Sequence, residues 1–168
     1  EVAEIFEQHL EQPALAFSTL SRVYADAPGL EDVRSNLDRL AEELLMWDEL
    51  VEVLQAGLPN AHDSELAQNI QRRIAQVLDQ KMADKERGAE AWQRVLSSAP
   101  MDPEGLAALD RLSESLGRWA AVADVLEKRI QLAEDGDERH ELCRRLGAVW
   151  DERLSEPAEA IDWYRRAR

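Results

Sequence analysis

Apolar residues recur along this 168-residue chain at intervals of three and four, with charged and polar residues between them. Leu109, Leu112 and Leu116, followed by Trp119, Val122, Val125, Leu126 and Ile130, illustrate the spacing. At about 3.6 residues per turn, it gathers the apolar set on one stripe of a helix. Strict alternation, the mark of a half-buried strand, is absent. Breakers separate the periodic runs: Pro28-Gly29, Pro59-Asn60, Pro100 with Pro103, Gly117 and Gly136. The pattern predicts about ten helices, near 2–11, 13–26, 30–45, 47–58, 63–83, 86–98, 103–116, 119–133, 137–154 and 157–168. Short turns join them, which favours antiparallel neighbours.

The helices also repeat. The stretch LLMWDELVEVLQAGL at 44–58 lies over LGRWAAVADVLEKRI at 116–130 without a gap: Leu44 over Leu116, Trp47 over Trp119, Val53 over Val125 and Leu54 over Leu126, each pair 72 residues apart. Written as blocks 1–72, 73–144 and 145–168, the chain stacks Ala16, Gly88 and Ala160 as small residues. Leu20, Trp92 and Tyr164 coincide as bulky ones, and Pro28 lies over Pro100. A repeat of constant length means that each block builds the same supersecondary unit. One helical hairpin exposes an apolar face that it cannot bury alone, and stacking hairpins makes the core continuous. The expected architecture is therefore all-α, a single array over 1–168 in the form of an α-solenoid.

The run LGAVWDERLSEPAEAIDWYRRA at 146–167 resembles the tetratricopeptide repeat (TPR) family. The resemblance rests on Leu146, Gly147 and Trp150 in a first helix, then Ala160, Tyr164 and Ala167 in a second, with Pro28 and Pro100 at the place of the closing proline. It implies a right-handed superhelix of antiparallel hairpins. The hairpins at 30–58 and 103–130 match less closely, carrying Asp38 and Asp110 where the family prefers a small residue. By register, residue 1 falls inside a helix, and no polar capping helix follows the last one. Together with the missing initiator Met, this leads us to expect a segment of a longer array.

Composition narrows the function. A chain of this length with 45% hydrophobic residues can bury a substantial core without metals or disulfides. The single Cys143 rules out an intrachain disulfide and is compatible with a reducing, cytoplasmic setting. No apolar run approaches the roughly 20 residues needed to cross a bilayer. A net charge of −15 argues against nucleic acid and anionic membranes as partners. The charge is graded: block 1–72 holds 15 acids and 4 bases, 73–144 holds 15 and 11, and 145–168 holds 5 and 5. Such a gradient fits either a solvated, self-repelling surface or an N-terminal end that steers a basic partner.

Catalytic constellations are missing. The sequence has no Gly-rich phosphate loop, Cys-x-x-Cys pair or G-x-S-x-G elbow. HELCR at 140–144 is similar to the zinc-protease helix motif, but Arg144 stands where the second His belongs. His140 and Cys143 supply only two of the four ligands of a structural zinc site. We therefore expect no enzyme activity, metal or cofactor. Trp47, Trp92, Trp119 and Trp150 fall at apolar repeat positions and are expected in the core, Trp119 as an inter-helix wedge whose truncation costs about 3–5 kcal/mol. Trp163 lies over Thr19 and Ala91, so that place does not require an aromatic residue.

What remains is a surface. The TPR resemblance implies that the first helix of each hairpin lines a concave groove that holds peptides. By register its residues are Glu4, Glu7 and Gln8; Asp32, Arg39, Glu42 and Glu43; Asn69, Arg72, Gln76, Asp79 and Gln80; Glu104, Arg111 and Glu114; and Glu141, Arg144, Asp151 and Glu152. Carboxylates dominate this set. The family's Lys/Asn/Arg cradle for a terminal carboxylate has its nearest counterpart in Arg72 with Gln76, which disfavours a carboxylate-ended ligand. The expected function is a non-catalytic protein-interaction scaffold that binds a Lys/Arg-rich segment. The alternatives are a structural spacer in a larger repeat protein, or the docking arm of an enzyme whose catalytic domain lies elsewhere. End-to-end self-association through open array ends is a further expectation.

Overall fold

The computed structural model describes residues 12–167. The helix expected at 2–11, with the groove positions Glu4, Glu7 and Gln8, lies outside the described residues. Among the described residues there are nine α-helices and no strand: α1 (Pro13–Asp26), α2 (Glu31–Leu44), α3 (Trp47–Gly57), α4 (Ser64–Gln76), α5 (Lys85–Ser98), α6 (Pro103–Ser115), α7 (Trp119–Leu132), α8 (Gly136–Ala148) and α9 (Pro157–Arg166). Pro13, Pro103 and Pro157 open α1, α6 and α9, where a missing N–H breaks no helical bond. Asp63, Asp84, Asp102 and Asp135 cap α4, α5, α6 and α8 by accepting the backbone N–H of Glu65, Arg87, Gly105 and Glu138.

The helices form two compact units, one ending at Ala83 and the other beginning at Asp84. In the first, α1 packs on α2 and α3, and α3 packs on α4. Phe17, Tyr24, Leu37, Leu40, Leu50, Leu54 and Ile70 form its buried core. In the second, α6 packs on α5 and α7, and α8 packs on α7 and α9. Trp92, Leu106, Leu112, Leu126 and Leu146 are buried there. Each such side chain contributes about 1.5–3 kcal/mol relative to exposure.

The 72-residue period is written into the backbone as well. Leu45 and Gly117 both take left-handed φ, at 57° and 67°, and so do Ala83 and Ser155, at 53° and 59°. After Leu45 and Gly117 the chain closes the same wide turn, with Met46 N–H on Ala41 O and Arg118 N–H on Ser113 O. The long helices expected at 63–83 and 137–154 each end in a π-turn, Val77–Lys81 and Val149–Arg153, again 72 residues apart.

Packing explains the small residues of the repeat. A Cβ on Gly147 would lie 2.7 Å from the Tyr164 ring, so only glycine lets α8 and α9 approach this closely. The tryptophans correct one expectation. Trp92 is fully buried, but Trp47, Trp119, Trp150 and Trp163 are half-buried. Trp119 is therefore not an enclosed wedge. It packs with Trp150 and Trp163 against the edge of the second unit's core, which includes Val122, Leu126 and Leu146. A cation covers its remaining face.

Candidate binding surface

Two carboxylates, the half-buried Asp38 and the buried Asp110, organise the first helices of the hairpins. Asp38 on α2 accepts from Nε and Nη2 of Arg73 on α4, at 3.0 and 2.8 Å. Asp110 on α6 accepts from Nη1 and Nη2 of Arg145 on α8, at 2.7 and 2.9 Å. Both aspartates and both arginines are repeat partners. Each carboxylate also takes a second guanidinium, which differs between the units: Arg34 for Asp38 and Arg129 for Asp110. These are the positions where the sequence departs from the small residue of the TPR pattern. The departure is compensated, because a buried carboxylate needs paired, hydrogen-bonded partners.

A cation over an aromatic ring forms the second repeated pair. Lys81 Nζ stands 4.9 Å from the Trp47 ring centroid, and the Arg153 guanidinium 4.6 Å from that of Trp119. Both cations leave from the π-turns, which aim them back at the start of the preceding hairpin's second helix. Trp163 carries a third such cation, Arg166, at 4.5 Å.

None of the described groove positions is buried. In the first unit, Asp32, Arg39, Glu42 and Glu43 lie on α2, Asn69, Arg72 and Gln76 on α4, and Asp79 and Gln80 on the π-turn. In the second, Glu104, Arg111 and Glu114 lie on α6, Glu141 and Arg144 on α8, and Asp151 and Glu152 on the π-turn. Much of the expected negative surface is internally neutralised. Glu43 pairs with Arg39 at 3.0 Å, Glu42 with Lys81 at 2.8 Å, Glu114 with Arg145 at 2.7 Å and Glu141 with Arg144 at 2.7 Å. The hydrogen bond from Lys81 holds the Glu42 carboxyl below its ordinary range, and the one from Arg144 does the same to Glu141. Asp32, Asp151 and Glu152 remain exposed.

The structure gathers Arg72 and Gln76 with Asn69, as in the register reading, and with Arg34 and Arg73, which that reading did not join to them. Arg34 from α2 and Asn69 and Arg73 from α4 complete the wall of a cavity of about 280 Å³ in the first unit. Pro28, Gly29 and Glu31 bring the start of α2 to its rim. A more open hollow of about 570 Å³ in the second unit runs over Leu96, Pro100, Leu109 and Val125.

On α8, His140 is exposed whereas Cys143 is buried, and burial pushes its thiol pKa up. Among the described residues no group of three or more His, Cys, Asp or Glu could hold a metal ion. No described helix is long and apolar enough to cross a membrane. Sequence reasoning missed Arg34, Arg73, Arg145, Lys81 and Arg153. A signal for four of them existed: Arg73 lies 72 residues before Arg145, and Lys81 the same interval before Arg153.

No family model matches this sequence, and no curated protein matches it. Its fold does have solved counterparts. The chain is similar to a crystal structure of MamA, a TPR-like helical-repeat protein, at 15% identity and a TM-score of 0.52 over 99% of this chain and 92% of that one. A MamA AMB-1 structure gives 17% identity and a TM-score of 0.57, covering 95% of this chain and 82% of that one. A MamA MSR-1 structure gives 16% and 0.52, covering 95% and 87%. At these identities the likeness speaks for the fold alone, an all-α array of TPR-like helix hairpins.

Proposed function

We propose that this protein is a non-catalytic interaction scaffold whose first helices hold a segment of another protein. The observation that carries this reading is that no described groove position is buried and most are exposed, on helices whose opposite faces are committed to the core and to the Asp–Arg pairs. A surface held in this way is pre-organised, so binding need not order it first. The partner segment is rich in Lys or Arg. Support comes from the charge of −15 and from the exposed Asp32, Asp151 and Glu152.

An array of immobilised peptides of equal length and graded charge tests the reading. Retention of the folded protein by Lys/Arg-rich peptides above neutral and acidic ones is the expected outcome. Retention by none of them favours a structural spacer, and preference for acidic peptides removes the basic partner.

A further inference from the structure

The open hollow of the second unit departs from the internal repeat. Leu96, Leu109, Ala121 and Val125 give it an apolar floor, and Asp124 and Lys128 stand on its rim. In the first unit, Tyr24 stands at the place of Leu96, Glu49 at that of Ala121 and Ala56 at that of Lys128. There, Asn60 donates to Ala25 O at 2.7 Å, tying the turn after α3 to the end of α1. Leu132 holds that place in the second unit, where it cannot make the bond and is 37% exposed. One unit thus ties this face and charges it, while the other leaves it open and apolar.

Ala121, Asp124, Lys128 and Leu132 fall within about a quarter turn of α7, at roughly 3.6 residues per turn. Among the described residues, the side chains of Asp124 and Lys128 have no hydrogen bond or ion pair. The stripe is its own complement. An antiparallel copy of α7, related by a two-fold axis level with Leu126, sets Asp124 against the partner's Lys128, and Lys128 against the partner's Asp124. Leu132 lies about 9 Å along the helix from that level, so it meets the small Ala120 and Ala121 at the mouth of the other hollow. We propose that this face binds a second copy of the chain in a two-fold dimer, the same patch serving both sides. The charge pairs fix orientation and register, and the leucines supply the apolar contact. The face lies along the second unit and differs from the end-to-end stacking expected from the sequence.

Sedimentation of the protein from micromolar to millimolar concentration, at about 0.15 M salt, tests the proposal. A reversible monomer–dimer equilibrium is the expected result. Ala121→Glu and Leu132→Asn copy the first unit at the same backbone positions. Each should weaken the dimer about tenfold, with an unchanged melting curve. Lys128→Asp and Asp124→Lys should weaken it to a similar degree. The two together should restore it, because each new charge again meets its opposite across the axis. A protein that stays monomeric throughout overturns the proposal, as does a dimer that none of these variants weakens. A double charge variant no tighter than the single ones also overturns it, since the charges would then act within α7 and not between copies.

Discussion

Arg73 reaches 35 residues back along the chain to place Nε and Nη2 on one carboxylate oxygen of Asp38. The same contact recurs one repeat later between Arg145 and Asp110, where the carboxylate is almost fully enclosed, at 4% exposure. The repeat therefore keeps an ion pair between successive first helices as well as an apolar core, half-buried at Asp38 and enclosed at Asp110.

Arg145→Met removes one of the two guanidinium groups from Asp110 and leaves a poorly compensated charge. The expected loss is about 2 kcal/mol, below the roughly 3–5 of a fully buried pair, since the Arg145 side chain keeps a third of its exposure. Adding Asp110→Ala should restore part of it. Urea unfolding of the two single variants and the double variant measures the coupling, and strict additivity would contradict the pairing.

Trp119 is half-buried, with Arg153 on its open face. Trp119→Ala should then cost about 2–3 kcal/mol, less than an enclosed wedge would lose. Arg153→Ala should cost about 0.5–1 kcal/mol. Chemical denaturation of both variants checks the ranking. A loss from Arg153→Ala equal to that from Trp119→Ala would exclude this arrangement.

Leu45 holds φ at 57° and points its side chain into solvent, at 77% exposure, where the next repeat has Gly117. A left-handed residue with a Cβ is strained, and this side chain has little burial to offset the strain. Leu45→Gly should raise stability by about 0.5–1 kcal/mol, read as a higher melting temperature. A lower one would mean that Leu45 contributes contacts that outweigh its backbone.

Tyr24 packs against the bare Cα of Gly57, where an added Cβ would lie 2.8 Å from its ring, and its buried hydroxyl has no hydrogen-bond partner among the described residues. Burial pushes its pKa from the ordinary 10.0 up to about 12. In that interval the unfolded chain releases the proton while the folded one retains it. The stabilisation present below pH 10 is therefore lost as pH rises toward 12. Tyr24→Phe should flatten this alkaline limb in melting curves recorded from pH 9 to 12. An identical limb in the variant would assign it to other groups.

Periodicity made the helices legible, since each buries one stripe, and the same stripe returns after 72 residues at Trp47 and Trp119 or Leu37 and Leu109. Asp38 and Asp110 were visible only as misfits. Their arginines sit 35 residues away on another helix, so no local pattern joins them. The π-turns left no mark either, because Val77–Lys81 and Val149–Arg153 keep helical spacing while the backbone bond lengthens by one residue. At the expected groove positions none of the described side chains is buried, but the register reading overstated their charge. Lys81 on Glu42 and Arg145 on Glu114 are tertiary pairs that linear counting cannot see.

Titration of a fluorescent Lys/Arg-rich peptide across ionic strength, against the native protein and a variant carrying Asp32→Asn, Asp151→Asn and Glu152→Gln, tests the central claim most directly. The scaffold account predicts an affinity that falls as salt rises, and a weaker affinity with a shallower salt dependence for the variant. Binding indifferent to salt, or equal in the two proteins, would contradict it.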